Sequence, residues 1–118
     1  MAEKNKRRKF KNDRYSKSRG GKSIFLNLTC TTCNRAIALY QKDGPGSLLR
    51  LYLDRIVEPP ELSVLQSKVT VKSEMTNLTC PGCSTVLGTP MVYEPETRLA
   101  YRLIPGKLAK NLNDGNSP

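Results

Sequence analysis

The chain has 118 residues and a formal net charge of +10, with 37% hydrophobic and 6% aromatic residues, no Trp, no His and four cysteines. That length is one domain's worth, and so few large apolar side chains predict a modest aliphatic core that needs a further staple. Without His the usual general base at neutral pH is missing, together with the Ser-His-Asp and Cys-His arrangements, so the chain is expected not to be an enzyme.

Residues 1–22 hold ten of the twenty basic residues against only Glu3 and Asp13, and the rest of the chain is close to neutral. Apart from Phe10 and Tyr15 this stretch has almost no apolar side chains, too few to offset the entropy of ordering. The composition predicts a disordered basic arm ending at Gly20-Gly21. Lys6, Arg7, Arg8, Lys9, Lys11, Arg14, Lys17 and Arg19 are its candidate nucleic-acid contacts, with Phe10 and Tyr15 placed to stack on bases. The expected partner is nucleic acid, RNA or a ribosome, held without sequence specificity; the plainer reading is a tail that solubilises or localises the chain. Gly20-Gly21-Lys22-Ser23 ends like a phosphate-binding loop but lacks that motif's first glycine and preceding strand. No apolar stretch of signal-peptide type follows the basic run, and none is long enough to span a bilayer. The expected location is therefore intracellular, the cytoplasm by default with the nucleus left open, with reduced thiols and no membrane partner.

From Ser23 the texture changes to a mainly β domain, expected over 23–112. A strand beginning at 24–26 leads into Cys30-Thr31-Thr32-Cys33. A second strand over 35–40, the turn Asp43-Gly44-Pro45-Gly46 and an alternating run over 49–57 read as a hairpin that Pro59-Pro60 ends. Residues 61–76 form a linker, with a helical turn over 61–66 and strand-like alternation over 69–72. After Cys80-Pro81-Gly82-Cys83 the order recurs, with strands over 85–93 and 98–103 about a turn at 94–97. In the last strand Leu99, Tyr101 and Leu103 alternate with Arg98, Ala100 and Arg102. Pro105-Gly106 is expected to end the sheet, 107–112 to make a short helical turn, and 113–118 to fray as a disordered tail.

Asn27-Leu28-Thr29-Cys30 recurs as Asn77-Leu78-Thr79-Cys80, and each copy opens a Cys-x-x-Cys knuckle. A Cys-x-x-Cys turn brings two thiolates together on one tight loop, so each copy supplies two corners of a tetrahedron. Cys30, Cys33, Cys80 and Cys83 are thus the expected ligands of one structural Zn²⁺, joining positions separated by the segment 34–79. Iron in a rubredoxin-like site uses the same ligands, but the aromatic-rich core expected there is missing. A redox dithiol would need a helix after one knuckle in a βαβ unit, and two disulfides would need secretion. A closed set of four thiolates leaves no position for a metal-bound water, so no hydrolysis is expected and no small-molecule substrate. Asn34 and Ser84, just past each knuckle, are read as turn geometry through positive φ.

The paired knuckles, each followed by a hairpin, resemble the zinc-ribbon and β-tent class of small zinc-binding domains. The stretches Leu78 to Cys83, Leu87 to Tyr93 and Arg98 to Leu103 carry the likeness to a small zinc-binding family of uncharacterised function. The resemblance implies metal ligation by the four cysteines and no particular activity, since such folds serve many roles. An alternative role is a protein-interaction adaptor, with exposed Tyr52, Tyr93 and Arg102 on its contact surface.

Overall fold

A computed structural model describes residues 9–113. Its fold is mainly β, with eight strands in two four-stranded antiparallel sheets. Strands β1 (Ser23–Cys30) and β2 (Ala36–Asp43) form a hairpin whose tip is the first knuckle; β5 (Leu78–Thr79) and β6 (Val86–Tyr93) form the corresponding hairpin at the second. The shared tetrapeptide now has a physical meaning. In both hairpins the register slips at the same place, between Leu28 and Thr29 and between Leu78 and Thr79. The extra residue falls on the second strand of each hairpin, Ile37 and Leu87, and both are buried, as are Leu28, Cys30, Leu78 and Cys80 on the first strands, where simple alternation points them into the core.

Each half then lends a strand to the other's sheet. The run 49–57 is divided: β3 (Arg50–Tyr52) pairs with β7 (Arg98–Leu103), a 3₁₀ turn over Leu53–Arg55 redirects the chain, and β4 (Ile56–Glu58) returns to β2. The strand after the first turn is thus present but shared between sheets. In the second half β6 and β7 form the expected hairpin through Thr97, held at φ 50°. Beyond it, β8 (Leu108–Asn113) crosses to pair with β1, so the sheets read β4-β2-β1-β8 and β3-β7-β6-β5. The helical turn expected over 107–112 is therefore a strand: Gly106, at φ 79°, reverses the chain, and β1 offers an open edge to pair with. Two short helices, α2 (Pro60–Ser63) and α3 (Leu65–Lys68), fill the linker; no strand forms over 69–72.

The core between the sheets is chiefly aliphatic: Leu26, Leu28, Ile37, Leu51, Leu53, Ile56, Leu78 and Leu87, with Tyr40 and Tyr101. Tyr40 is buried and its hydroxyl accepts the Tyr52 backbone N–H at 2.9 Å. At one end this core continues into Cys30 and Cys80. No helix among the described residues is long and apolar enough to cross a membrane.

The disordered arm expected over 1–22 is corrected for its second part. Residues 9–22 pack against the domain, with a short helix α1 (Arg14–Ser18) whose N-cap Asp13 accepts from the backbone N–H groups of Tyr15 and Ser16. Composition underestimates this stretch because its few interacting side chains each meet a partner far away in sequence. Phe10 stacks on the buried Phe25 with ring centroids 4.3 Å apart. Asp13 pairs with Arg55, and Arg19 with Glu96.

Candidate metal centre and basic surface

The two hairpin tips meet. The four cysteine sulfurs lie within 4.8 Å of one another, with Cys30 Sγ 3.7 Å from Cys83 Sγ and Cys33 Sγ 3.5 Å from Cys80 Sγ. For a metal–sulfur bond near 2.3 Å, a regular tetrahedron has edges of about 3.8 Å. The spacing therefore fits four thiolates around one metal ion and is far too long for a disulfide, about 2.05 Å. The four cysteines thus form a cluster suited to a structural metal-binding role.

Local chain geometry brings the sulfurs to this point. In the first knuckle Cys30 N–H donates to Arg35 O at 2.9 Å and Asn34 N–H to Cys30 O at 2.8 Å; in the second, Cys80 N–H donates to Thr85 O at 2.8 Å and Ser84 N–H to Cys80 O at 2.9 Å. Both loops close through a left-handed residue, Asn34 at φ 64° and Ser84 at φ 65°, as the spacing suggested. The knuckles also press on each other. The stem of Arg35 crosses Gly82, where a Cβ would stand 3.1 Å from Arg35 Cδ. The turn before β8 braces the first knuckle, since Thr31 Oγ1 donates to Gly106 O at 2.8 Å and Thr31 N–H to Lys107 O at 3.1 Å.

Second-knuckle donors favour thiolates. The Thr85 hydroxyl, 3.0 Å from Cys83 Sγ, together with its backbone N–H, holds the Cys83 thiol down to about 6. Gly82 N–H donates to Cys80 Sγ at 3.3 Å. Cys30 and Cys80 are buried, Cys83 is half-buried and Cys33 is exposed, so the site lies at the rim of the core. Thr85 escaped the sequence reading, because nothing in the pattern singles out a hydroxyl two positions past the last cysteine.

The basic candidates separate into three groups. Lys6, Arg7 and Arg8 lie outside the described residues. Lys9, Arg14 and Lys17 are exposed, with Arg14 over the Tyr15 ring at 4.9 Å. Lys11 and Arg19 have structural partners. Lys11 Nζ donates to Asp54 O and to Gln66 Oε1, both at 2.6 Å, and Arg19 donates to both Glu96 carboxylate oxygens at 2.8 and 2.9 Å and to Tyr52 Oη at 3.0 Å. Phe10 and Tyr15 are likewise occupied, Phe10 by Phe25 and Tyr15 by the guanidinium of Arg98 at 3.9 Å. Of the residues read as an exposed contact surface, Tyr52 is buried beneath Arg98, which stands 3.7 Å from its ring centroid; Tyr93 is half-buried and Arg102 exposed.

Two buried arginines, neither singled out by sequence, hold this region together. Arg55 donates to Asp13 and, through Nε at 2.7 Å, to Asp43, which also accepts from Ser23 Oγ and Gln41 Nε2. Arg98 donates to Asp54 at 2.6 Å and Glu96 at 2.9 Å. One local signal was available, Asp13 three residues before Ser16, an N-cap pattern that predicts an ordered turn. No family model, no curated protein and no solved structure matches the chain. The reading of the site therefore rests on its own chemistry.

Proposed function

We propose that this protein is a small non-enzymatic module built on a structural Zn²⁺, and that it associates with nucleic acid, RNA in particular, through its basic N-terminal region. The observation that carries the metal is the four-sulfur quartet within 4.8 Å; zinc suits a closed thiolate set with no open position. The metal then ties the two hairpins together and takes no part in chemistry. Concentrated charge supports the RNA reading: ten of the twenty basic residues lie in the first 22 positions, and Lys9, Arg14 and Lys17 are exposed.

RNA binding as a function of salt tests it. Removing residues 1–22 would strip Arg55 of Asp13 and Glu96 of Arg19, so the informative truncation stops at residue 8. That deletion removes Lys4, Lys6, Arg7 and Arg8. Each phosphate contact to a single strand contributes about −0.7 to the slope of log K against log[salt], so losing four lowers the slope by up to about 3 units. A full chain without salt-dependent RNA affinity would remove the reading.

A further inference from the structure

At the far ends of β2 and β6 from their knuckles, an open cleft of about 270 Å³ lies between the sheets, with Arg19, Lys42, Leu49, Arg50, Tyr52 and Tyr93 among its walls. Its charges are unbalanced. Arg19, Arg55 and Arg98 are each paired with carboxylates. Asp43, the acid in the wall, is nearly enclosed and paired with Arg55. Arg50 has no ion pair with any described residue; its guanidinium stands 4.4 Å from the Tyr93 ring centroid and 5.9 Å from that of Tyr52. Lys42 has only a carbonyl partner, Gly44 O at 2.6 Å. Burial, and then the neighbouring Lys110 ammonium, push the Lys42 ammonium down from its ordinary value against a smaller opposing pull from Asp43, which Arg55 already engages.

We propose that this cleft is the docking site of a single RNA strand, with a base against the Arg50–Tyr93 pair, one flanking phosphate at Lys42 and the strand running on past Leu48 and Leu49 into the adjoining hollow that Lys110 lines. The proposal rests on the nucleic-acid association argued above and names where the strand sits. An aromatic-backed guanidinium supplies a planar cation that stacks on any base and N–H groups that meet phosphate, which is how single strands are held without sequence readout. Continuity with the N-terminal region favours RNA over an acidic peptide. Arg19, directly after α1 with its exposed Arg14 and Lys17, is itself a wall of the cleft. Leu49, 62% exposed, offers an apolar surface beside the same opening.

Anisotropy titrations of the full-length, metal-loaded chain with labelled oligouridylate and oligoadenylate test the assignment. Arg50→Ala is expected to weaken binding by about five- to thirty-fold and to lower the salt slope by about 0.7. Tyr93→Leu is expected to weaken it similarly with the slope unchanged, and Tyr93→Phe to restore it. Thermal melts establish that each variant is folded; if Tyr93→Leu is not, the comparison of Arg50→Ala with Arg50→Lys decides, the retained charge recovering the slope but not the full affinity. Variants that bind within about twofold of the unaltered chain overturn the cleft while leaving RNA association standing. Displacement of the RNA by polyglutamate at equal charge also overturns it, and an unaltered chain that binds no RNA overturns the functional reading itself.

Discussion

Arg55 Nη2 donates to Asp13 Oδ1 at 2.6 Å, from a side chain that is fully enclosed to one that comes from the basic N-terminal stretch. This contact makes residues 9–22 part of the domain. The guanidinium is shared with Asp43, whose side chain is 4% exposed against 40% for Asp13, so the two carboxylates differ in weight. Removing Asp43 leaves a buried charge half-compensated. Asp43→Ala is expected to cost about 3–5 kcal/mol and Asp13→Ala about 1–2 kcal/mol, since solvent screens the more exposed pair. Urea midpoints of the two variants check the order; equal losses would contradict it.

Acid should loosen the same junction. Arg55 holds the Asp13 carboxyl down to about 2, below its ordinary 3.8, and Asp43 and Glu96 are lowered too, Glu96 chiefly by Arg19. A carboxylate whose folded value is depressed stabilises fully above its unfolded value and loses that contribution as pH falls towards its folded one. Stability is therefore expected to hold above about pH 5 and to fall between about 5 and 2. The Asp13→Asn protein should show a shallower fall over that window, and urea titrations at stepped pH would reveal a parallel curve if Asp13 were not responsible.

Metal removal should unfold the two hairpins together. Cys30 and Cys80 are continuous with the core, and their sulfurs otherwise crowd at the separations of a tetrahedron with no cation to offset charge. Native mass spectrometry is expected to find one Zn²⁺ per chain, and chelation or Cys80→Ser to collapse the dispersion of the amide spectrum. A metal-free chain that keeps its dispersed spectrum would refute the structural role. Thr85→Val, which removes the hydroxyl beside Cys83, should weaken metal affinity roughly ten- to a hundred-fold while leaving the fold intact.

Substitutions at positive-φ positions should move stability in opposite directions according to which residue stands there. Ser84 turns through φ 65° with a side chain that region disfavours, so Ser84→Gly is expected to raise stability by up to about 1 kcal/mol, and Asn34→Gly by less because Asn tolerates that conformation. Gly44 has φ +75°, and a Cβ there would stand 2.8 Å from both Cβ and the carbonyl oxygen of Arg19. Gly44→Ala should therefore cost about 1–3 kcal/mol and release residues 14–22 to faster amide exchange. Unchanged protection of α1 in that variant would show that the contact is not limiting.

The sequence by itself determined the β class, the two knuckles, the left-handed residues after them and the hairpin of β6 and β7, because each depends on residues close along the chain: a Cys-x-x-Cys turn, a two-residue alternation, a turn cluster. It also singled out the four cysteines as metal ligands, since few other uses suit two such knuckles in a chain without His. Tertiary structure alone decided how strands are exchanged. Nothing local shows that the alternating run 49–57 bends at Leu53–Arg55 to serve both sheets, or that 108–113 becomes a strand, because a strand's pairing is chosen by the edge available to it. The N-terminal stretch shows the same division most clearly. Its composition predicts disorder when its residues are summed alone, yet Phe10, Asp13 and Arg19 each complete a partner on a distant element, Phe25, Arg55 and Glu96. Burial and charge pairing are properties of the pair, and the second member of each pair is brought near only by the fold.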